Sequence, residues 1–244
     1  MTRIIGIAGK KQSGKNTSAN YLHGSVLKSN GLTEDFKLSP SNGELIVLTD
    51  TGWGVFDITR KDSQFVDYAH SNMWPFVKLY SFADGLKNIC VEFFGLTVEQ
   101  AYGTDKDKNS KTDILWENIP TWHNSSLNKN RGRMTARELL QYFGTDIMRK
   151  LHHNVWVNHT INKIKTEKSG VSIVADVRFP NEVDAILEAG GEVIKLQRAP
   201  LKDDHSSETA LDAENFDQDK FTHIVPSGSI EDLCENLENI LKGK

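Results

Sequence analysis

The chain has 244 residues, of which 38% are hydrophobic and 25% are charged, as is typical of a globular protein that buries its own core. Its net charge of -4 argues against the positive field of a nucleic-acid-binding protein, and its two cysteines, Cys90 and Cys234, provide no disulfide framework or metal spacing. No apolar run approaches the ~20 residues of a membrane helix and no signal peptide is visible, so we expect a cytoplasmic protein with no membrane or nucleic-acid partner.

The first thirty residues predict a strand, a glycine-rich loop and a helix. Residues 4–8 are apolar and rich in β-branched side chains, as expected of a buried strand. The loop runs from Gly9 to Lys15, and residues 17–22 then show helical spacing. A strand, a glycine loop and a helix in this order are the setting of a phosphate-binding loop.

Residues 34–76 are interpreted as an insertion that contains a β-hairpin. Residues 29–42 are rich in Ser, Asn, Gly and Pro, which predicts a loop. Residues 44–58 contain two β-prone runs separated by Thr49, Asp50, Thr51 and Gly52, which predicts a hairpin. The sequence leaves open whether this hairpin packs on the core or forms the contact of a homodimer.

The central part of the chain is predicted to contain a strand, three helices and a polar segment. A strand at 77–81 precedes a helix at 83–94, which Gly95 ends. Residues 103–134 are polar and lack periodicity, which predicts a mobile, lid-like segment. Thr135 and Glu138 form a capping box that begins a helix over 135–143, and a second helix is predicted over about 146–163.

The carboxyl-terminal part continues the alternation of strands and helices. Strands are predicted at 171–175, 192–196 and 223–226, and helices at 181–189 and 229–241. Alternating elements of this kind indicate a mostly parallel sheet flanked by helices. We therefore predict a P-loop NTPase of the α/β class, with residues 1–244 forming a single kinase domain.

The loop has the spacing G-x-x-x-x-G-K. Glycines let the backbone N–H groups point inward at phosphate oxygens, and the start of the following helix adds a partial positive charge. The lysine neutralises charge on the transferring phosphoryl group. The residues predicted to bind ATP are Lys11, Ser13, Gly14, Lys15, Asn16 and Thr17.

The residue after the lysine departs from the usual pattern. A serine or threonine normally stands there and binds Mg²⁺ through its hydroxyl group, whereas this chain has Asn16 followed by Thr17. Three alternatives stay open: Asn16 or Thr17 contacts the ion, one of them holds the α-phosphate, or the ion is held through waters. We take Thr17 as the metal candidate, with ATP and Mg²⁺ as the expected cofactors.

Several motifs in chain order resemble one known family. These are the K-[ND]-T ending of the loop and the segments at 82–87, 137–146, 176–182 and 205–208. Together they resemble the phage deoxynucleoside monophosphate kinases, which are P-loop kinases related to dephospho-CoA kinase. The resemblance implies transfer of the ATP γ-phosphoryl group to a deoxynucleoside monophosphate, a reaction of deoxynucleotide biosynthesis in the host cytoplasm.

The resemblance also implies roles for individual residues. Lys15, Arg137, Asp176 and Arg178 are the expected catalytic residues. Lys108 stands where the family has an arginine, so the charge is kept but the bidentate fork is lost. The residues expected to bind the acceptor are Leu86, Lys87, Lys108, Arg137, Gly144, Thr145, Trp156, Asp176, Arg178 and Glu182.

The residue types agree with this chemistry and leave some roles open. Arginine matches a phosphate dianion with paired hydrogen bonds, which suits Arg137 and Arg178. Trp156 is read either as a platform for the base or as a core aromatic. Arg131 and Arg133 are read either as lid arginines that exclude water or as a solvated turn. Two further features belong here: Arg198, expected near the adenine or the phosphates, and His152, His153 and His159, which lack zinc partners at suitable spacing.

Two rival functions stay open from the sequence alone. A kinase of another small acceptor, similar to dephospho-CoA kinase, would be competed by coenzyme A precursors. An ATP-binding switch or ATPase module would show hydrolysis stimulated by DNA or by a protein partner. The base that is accepted is not set by the sequence.

Overall fold

The computed structural model describes residues 2–119, 130–197, 209–226 and 228–243. The chain groups into two compact units: the first is Met1–Phe82 with Thr160–Lys244, and the second is Ala83–His159. The assignment of residues 1–244 to a single kinase domain stays a prediction. No helix within the described ranges is both long and apolar enough to cross a bilayer.

The first unit is built on a five-stranded parallel sheet, so the predicted fold class is confirmed. The strand order is β10-β9-β1-β8-β5, and each neighbouring pair is parallel. The core strands are nearly continuous apolar runs because helices cover a parallel sheet on both faces. The five strands are β1 (Arg3–Ala8), β5 (Val77–Tyr80), β8 (Val171–Val177), β9 (Glu192–Leu196) and β10 (His223–Val225).

The helices that accompany this sheet agree with most of the predicted ones. The last helix, predicted over 229–241, begins with a capping box formed by Ser229 and Asp232. Ile5, Ile173 and Leu237 are fully buried in one core cluster. The helices are α1 (Lys15–Ser29), α2 (Ser63–Asn72), α7 (Val155–Glu167), α8 (Pro180–Glu188) and α9 (Ile230–Leu241).

The insertion forms a three-stranded antiparallel sheet of β2 (Asp35–Leu38), β3 (Leu45–Thr49) and β4 (Gly52–Val55). The predicted hairpin within 44–58 is confirmed, because β3 and β4 pair antiparallel. The prediction of a loop over 29–42 is wrong at β2. That strand forms because it pairs along β3 and sets Phe36 against α1, contacts that local composition does not reveal.

A buried histidine lies on α1. His23 is 1% exposed, its Nε2 lies 3.3 Å from Met73 Sδ, and its buried Nδ1 has no hydrogen-bond partner in the described part of the chain. Burial lowers the pKa of His23 from 6.5 to about 3, because the imidazolium form would lose its hydration.

This histidine makes stability depend on pH. The unfolded chain binds a proton at His23 below pH 6.5, whereas the folded chain does not until about pH 3, so stability falls as the pH drops through this window. We expect His23→Gln to reduce the loss of unfolding free energy between pH 7 and pH 5 by about 2 kcal/mol. Urea unfolding at pH 7 and at pH 5 measures this loss, and His153→Gln, a substitution on the surface, is the control. If both variants lose the same unfolding free energy between the two pH values, His23 is not the source of the pH dependence.

The second unit contains helices around its own small core. Its elements include α3 (Asp84–Phe94), ended as predicted by Gly95 at φ 70°, and α6 (Ala136–Gln141), capped as predicted by Thr135 and Glu138. Cys90, Met134 and Leu139 are buried together. The other elements are α4 (Val98–Tyr102), α5 (Asp105–Lys108), β6 (Lys111–Leu115) and β7 (Arg133–Thr135).

The lid-like segment contains regular structure in its described part. Helix α5 and the antiparallel pair of β6 and β7 lie within or at the edge of 103–134. Arg133 lies in β7, where it pairs with Asp113 at 3.1 Å. Residues 120–129 lie outside the described residues, and the mobility of the segment stays a prediction.

The helix predicted over 146–163 is wrong as one continuous element. A π-helical segment occupies Tyr142–Arg149, and α7 begins only at Val155. The prediction assumed one helical phase, but Leu151 is 80% exposed whereas Trp156 and Val157 are buried. The chain therefore breaks near His152 and changes its buried face.

Candidate active site

The loop between β1 and α1 has the conformation of a phosphate cradle. Gly14 has φ 97° and Gln12 has φ 61°, both in the left-handed region. A Cβ at Gly9 would lie 2.4 Å from Ser13 Oγ, so any larger residue there would displace the Ser13 side chain. These conformations curl the backbone ahead of the amino terminus of α1, which is how an anion site is built.

Two side chains of the loop are placed for phosphate chemistry. Lys15 Nζ donates to the carbonyl oxygens of Gly9 at 2.5 Å and Lys10 at 2.7 Å, so its charge lies across the loop. Ser13 Oγ is buried and has no hydrogen-bond partner among the described residues. A buried hydroxyl group without a partner is costly, and a phosphate oxygen would satisfy it.

Asn16 and Thr17 line different cavities beside the loop. Thr17 lines a small cavity with Ser13 and Gly14, and the end of β9 and the turn before α9 complete its walls. Asn16 lines a separate cavity of about 320 Å³, whose walls include Leu79 and Ala175 near the strand ends. The two residues that follow the lysine therefore lie on two different sides of the phosphate loop.

The turn after β8 leaves the sheet beside the phosphate loop. Ala8 pairs with Val177 across the parallel strands β1 and β8, so Gly9 and Arg178 leave adjacent strands at the same level. Ligands of open α/β sheets bind outside the carboxyl ends of the strands. The register therefore brings Arg178 next to the loop that would hold the transferring phosphate.

Hydrogen bonds fix the two carboxylates of this turn. Asp176 accepts from Ser81 Oγ at 2.5 Å and from Phe82 N at 3.1 Å. Glu182 is 2% exposed and accepts from the backbone N–H groups of Arg178 at 2.7 Å and Phe179 at 3.1 Å. Glu182 thus shapes the turn that carries Arg178; its contact with substrate stays a prediction.

In the second unit, Arg137 is held by two side chains that sequence reasoning missed. Its guanidinium donates to Asp105 Oδ1 at 2.7 Å and to Asn109 Oδ1 at 3.1 Å, and the side chain is 41% exposed. Asp105 and Asn109 flank Lys108 on and just after α5. Thr104, which caps α5, was the available signal that this polar run folds into an ordered support.

Gly144 contacts the side chains of both Leu86 and Trp156. A Cβ at Gly144 would lie 2.5 Å from Leu86 Cδ2, and its carbonyl oxygen accepts from Trp156 Nε1 at 3.1 Å. The indole is 4% exposed, which favours the core reading of Trp156 over a base platform. Thr145 follows in the exposed part of the π-helical segment, a feature often found at functional sites.

Lys87 lies beside Tyr102. Its ammonium is 4.6 Å from the centre of the phenol ring, and Tyr102 Oη donates to Asn88 Oδ1 at 2.6 Å. Burial and the charge of Asp84 raise the pKa of Tyr102, so its hydroxyl stays protonated near neutral pH. These contacts hold the start of α3, where Leu86 and Lys87 were predicted to meet the acceptor.

Some predicted features lie outside the described residues. Arg198 and the segment 205–208 are among them. Among the residues that are described, no group of three or more His, Cys, Asp or Glu side chains could hold a metal ion.

Comparisons with known proteins identify relatives across the chain. The family model for deoxynucleotide monophosphate kinase matches residues 3–237. The deoxynucleotide monophosphate kinase of Enterobacteria phage T4 is 25% identical over 253 residues, covering 98% of this chain and 99% of that protein. A putative deoxynucleotide monophosphate kinase of Acanthamoeba polyphaga mimivirus is 34% identical over 145 residues, 54% of this chain and 67% of that protein. The deoxynucleoside-5'-monophosphate kinase of Escherichia phage T5 is 30% identical over 90 residues, 33% of this chain and 36% of that protein.

Proposed function

The chain belongs to the deoxynucleotide monophosphate kinase family, and from that premise we propose which residues perform its reaction. The chain is a kinase that uses ATP and transfers a phosphoryl group to a deoxynucleoside monophosphate. The observation that carries the assignment of roles is the register of β1 and β8, which sets Arg178 level with Gly9. The match favours this reaction over an ATPase switch.

The phosphate loop binds the nucleotide that donates the phosphoryl group. The backbone N–H groups and the Ser13 hydroxyl group bind phosphate oxygens, and Lys15 neutralises the charge that develops during transfer. Thr17 binds a further phosphate oxygen of the nucleotide, because it lines a small cavity beside the loop together with Ser13 and Gly14.

Mg²⁺ fits the donors near the loop. Asn16 offers an amide oxygen in the cavity beside the phosphate loop, and Asp176 offers a carboxylate near the carboxyl end of β8. These oxygen donors suit a hard cation that keeps several of its waters. We place the ion with Asn16 and Asp176, ahead of Thr17; when bound, it neutralises phosphate charge.

The acceptor phosphate needs positive groups and no strong base. A phosphate monoester is already an anion near neutral pH, so its oxygen attacks without a proton being removed by the protein. Arg178 orients that oxygen, and Arg137 binds the acceptor phosphate through its guanidinium fork. Asp176 is bonded by Ser81 and Phe82, so its charge is fixed in place and helps to orient the metal.

A panel of deoxynucleoside monophosphates tests this assignment. In a coupled assay with ATP, we expect at least one acceptor to be converted to its diphosphate. For that acceptor, Arg137→Ala should raise KM about tenfold with little change in the KM for ATP, the cost of one exposed charged contact. Arg137→Lys should recover part of the loss.

The controls separate binding from folding. Asp105→Ala removes the carboxylate that holds Arg137, so it should raise the same KM by a smaller factor. Lys150→Ala removes an exposed positive charge that pairs with Asp146 and controls for general loss of charge in this unit. An Arg137→Ala enzyme with an unchanged acceptor KM would remove this residue from the acceptor site.

A further inference from the structure

The first helix packs one of its faces on the inserted sheet. Near its carboxyl-terminal half, the rings of Tyr21 and Phe36 meet edge to face with centroids 5.5 Å apart. A Cβ at Gly24 would lie 2.4 Å from Phe36 Cδ2 and 2.7 Å from Leu45 Cδ1. The insertion therefore approaches the backbone of α1 closely, and α1 is the helix that begins in the phosphate loop.

The same face continues to the phosphate loop itself. Asn20 Nδ2 donates to the carbonyl oxygen of Gly43 at 2.8 Å, and Thr17 lies one turn earlier. The positions 17, 20, 21 and 24 follow the spacing i, i+3, i+4 and i+7, so they share one helical face. One end of this contact is thus a residue that also lines the small cavity beside the phosphate loop.

Gly43 meets the Thr17 side chain directly. It is buried, has φ +71°, and a Cβ there would lie 2.4 Å from Thr17 Oγ1 and 2.8 Å from Thr17 Cγ2. The turn that carries Gly43 is closed by Ser39 N donating to Glu44 O at 2.8 Å and by Gly43 N donating to Ser39 O at 2.9 Å. A closed turn therefore presses a glycine backbone against the threonine.

We propose that Gly43 is a positioning residue for nucleotide binding: the inserted turn 39–44 holds the Thr17 hydroxyl group in the orientation that binds phosphate. The proposal rests on the role given above to Thr17. A β-branched side chain has few χ1 orientations, and a Cβ at Gly43 would overlap both branches of the Thr17 side chain, so a glycine is needed to leave them in their present orientation. The insertion then acts on phosphoryl transfer through the phosphate loop.

Gly43→Ala tests this, with Gly31→Ala as a matched control. Gly31 has φ +70°, against +71° for Gly43, but a Cβ at Gly31 meets no heavy atom within 4 Å. Both variants carry the same backbone strain, whereas only Gly43→Ala displaces Thr17. We expect the KM for ATP of Gly43→Ala to be about tenfold higher than that of Gly31→Ala. The KM for the fastest acceptor should be the same in both variants.

One further variant tests the same contact without adding a side chain at position 43. Asn20→Ala removes the bond to Gly43 O, keeps the glycine, and should raise that KM about threefold; it replaces Gly43→Ala if the latter does not fold. Equal KM values for ATP in Gly43→Ala and Gly31→Ala, or no change in Asn20→Ala, would overturn the proposal.

A failure of the phosphate-binding role proposed for Thr17 would give a different pattern of KM values. Thr17→Ala should raise the KM for ATP by itself if the hydroxyl group binds phosphate. If Thr17→Ala leaves that KM unchanged, the role given to Thr17 fails and Gly43 has nothing to position. If Thr17→Ala raises it while Gly43→Ala matches its control, the role of Thr17 stands and the positioning by Gly43 is rejected.

Discussion

Lys15→Ala is expected to lower kcat by about a thousandfold or more while leaving the protein folded. The Lys15 ammonium donates to two carbonyl oxygens of its own loop, those of Gly9 and Lys10, and Lys15 is not part of the apolar core cluster. Its removal therefore leaves the apolar core intact. Its charge instead counters the charge that develops on the phosphoryl group, so the loss should appear in the chemical step.

The measurement is kcat for the fastest acceptor at saturating ATP, together with the midpoint of thermal unfolding. Lys28→Ala is the matched control, since Lys28 lies in the last turn of the same helix and pairs with Asp35 at the surface. Lys28→Ala should keep kcat within about twofold, because exposed pairs contribute little. If the kcat of Lys15→Ala stays within tenfold of that of the parent enzyme, the charge of the Lys15 ammonium does not contribute to phosphoryl transfer.

The elements that the sequence predicted well are those with short-range signals. The phosphate loop is marked by Gly9, Gly14 and Lys15, and the capping boxes at Thr135 and Ser229 fix where two helices begin. The parallel strands are apolar runs that need no knowledge of their neighbours. In each case the physical cause lies within a few residues of the structure it produces.

The features that escaped prediction depend on contacts distant in the chain. Strand β2 exists because it pairs with β3 and sets Phe36 against Gly24. The π-helical segment at Tyr142–Arg149 and the break after it shift the buried face between Leu151 and Trp156. A periodicity argument over one window cannot contain such a change of phase.

In the candidate site, the sequence analysis named the expected functional residues but not the side chains that hold them. The family resemblance singles out Arg178, Asp176 and Arg137 as expected site residues, but it does not show what holds them. The supports are Ser81 for Asp176, Glu182 for the turn of Arg178 and Asp105 for Arg137. Two of these three lie more than 30 positions away in the chain from the residue they hold, so only the folded structure identifies them.

Arg178→Ala is expected to lower kcat/KM for the acceptor about a hundredfold or more. Arg178 leaves β8 level with Gly9, where the guanidinium can bind both the acceptor oxygen and the transferring phosphoryl group. An arginine that binds charge in the transition state lowers kcat when it is removed, whereas Arg137 is expected to act mainly on the acceptor KM. Arg178→Lys keeps the charge but loses the planar fork, so it should recover only part of the rate.

Two controls show whether the guanidinium itself or the turn around it is responsible. Arg60→Ala removes a surface arginine that pairs with Asp62 and should leave kcat/KM within about twofold. Glu182→Gln keeps an oxygen that can accept from the backbone N–H of Arg178, so the turn persists and we expect a loss of less than about tenfold. If Glu182→Gln loses as much as Arg178→Ala, the turn or the Glu182 charge, and not the Arg178 fork, is what the reaction needs. If Arg178→Ala lowers kcat/KM by less than tenfold, Arg178 does not bind the transferring group. The register that sets Arg178 level with Gly9 would then have a structural role only.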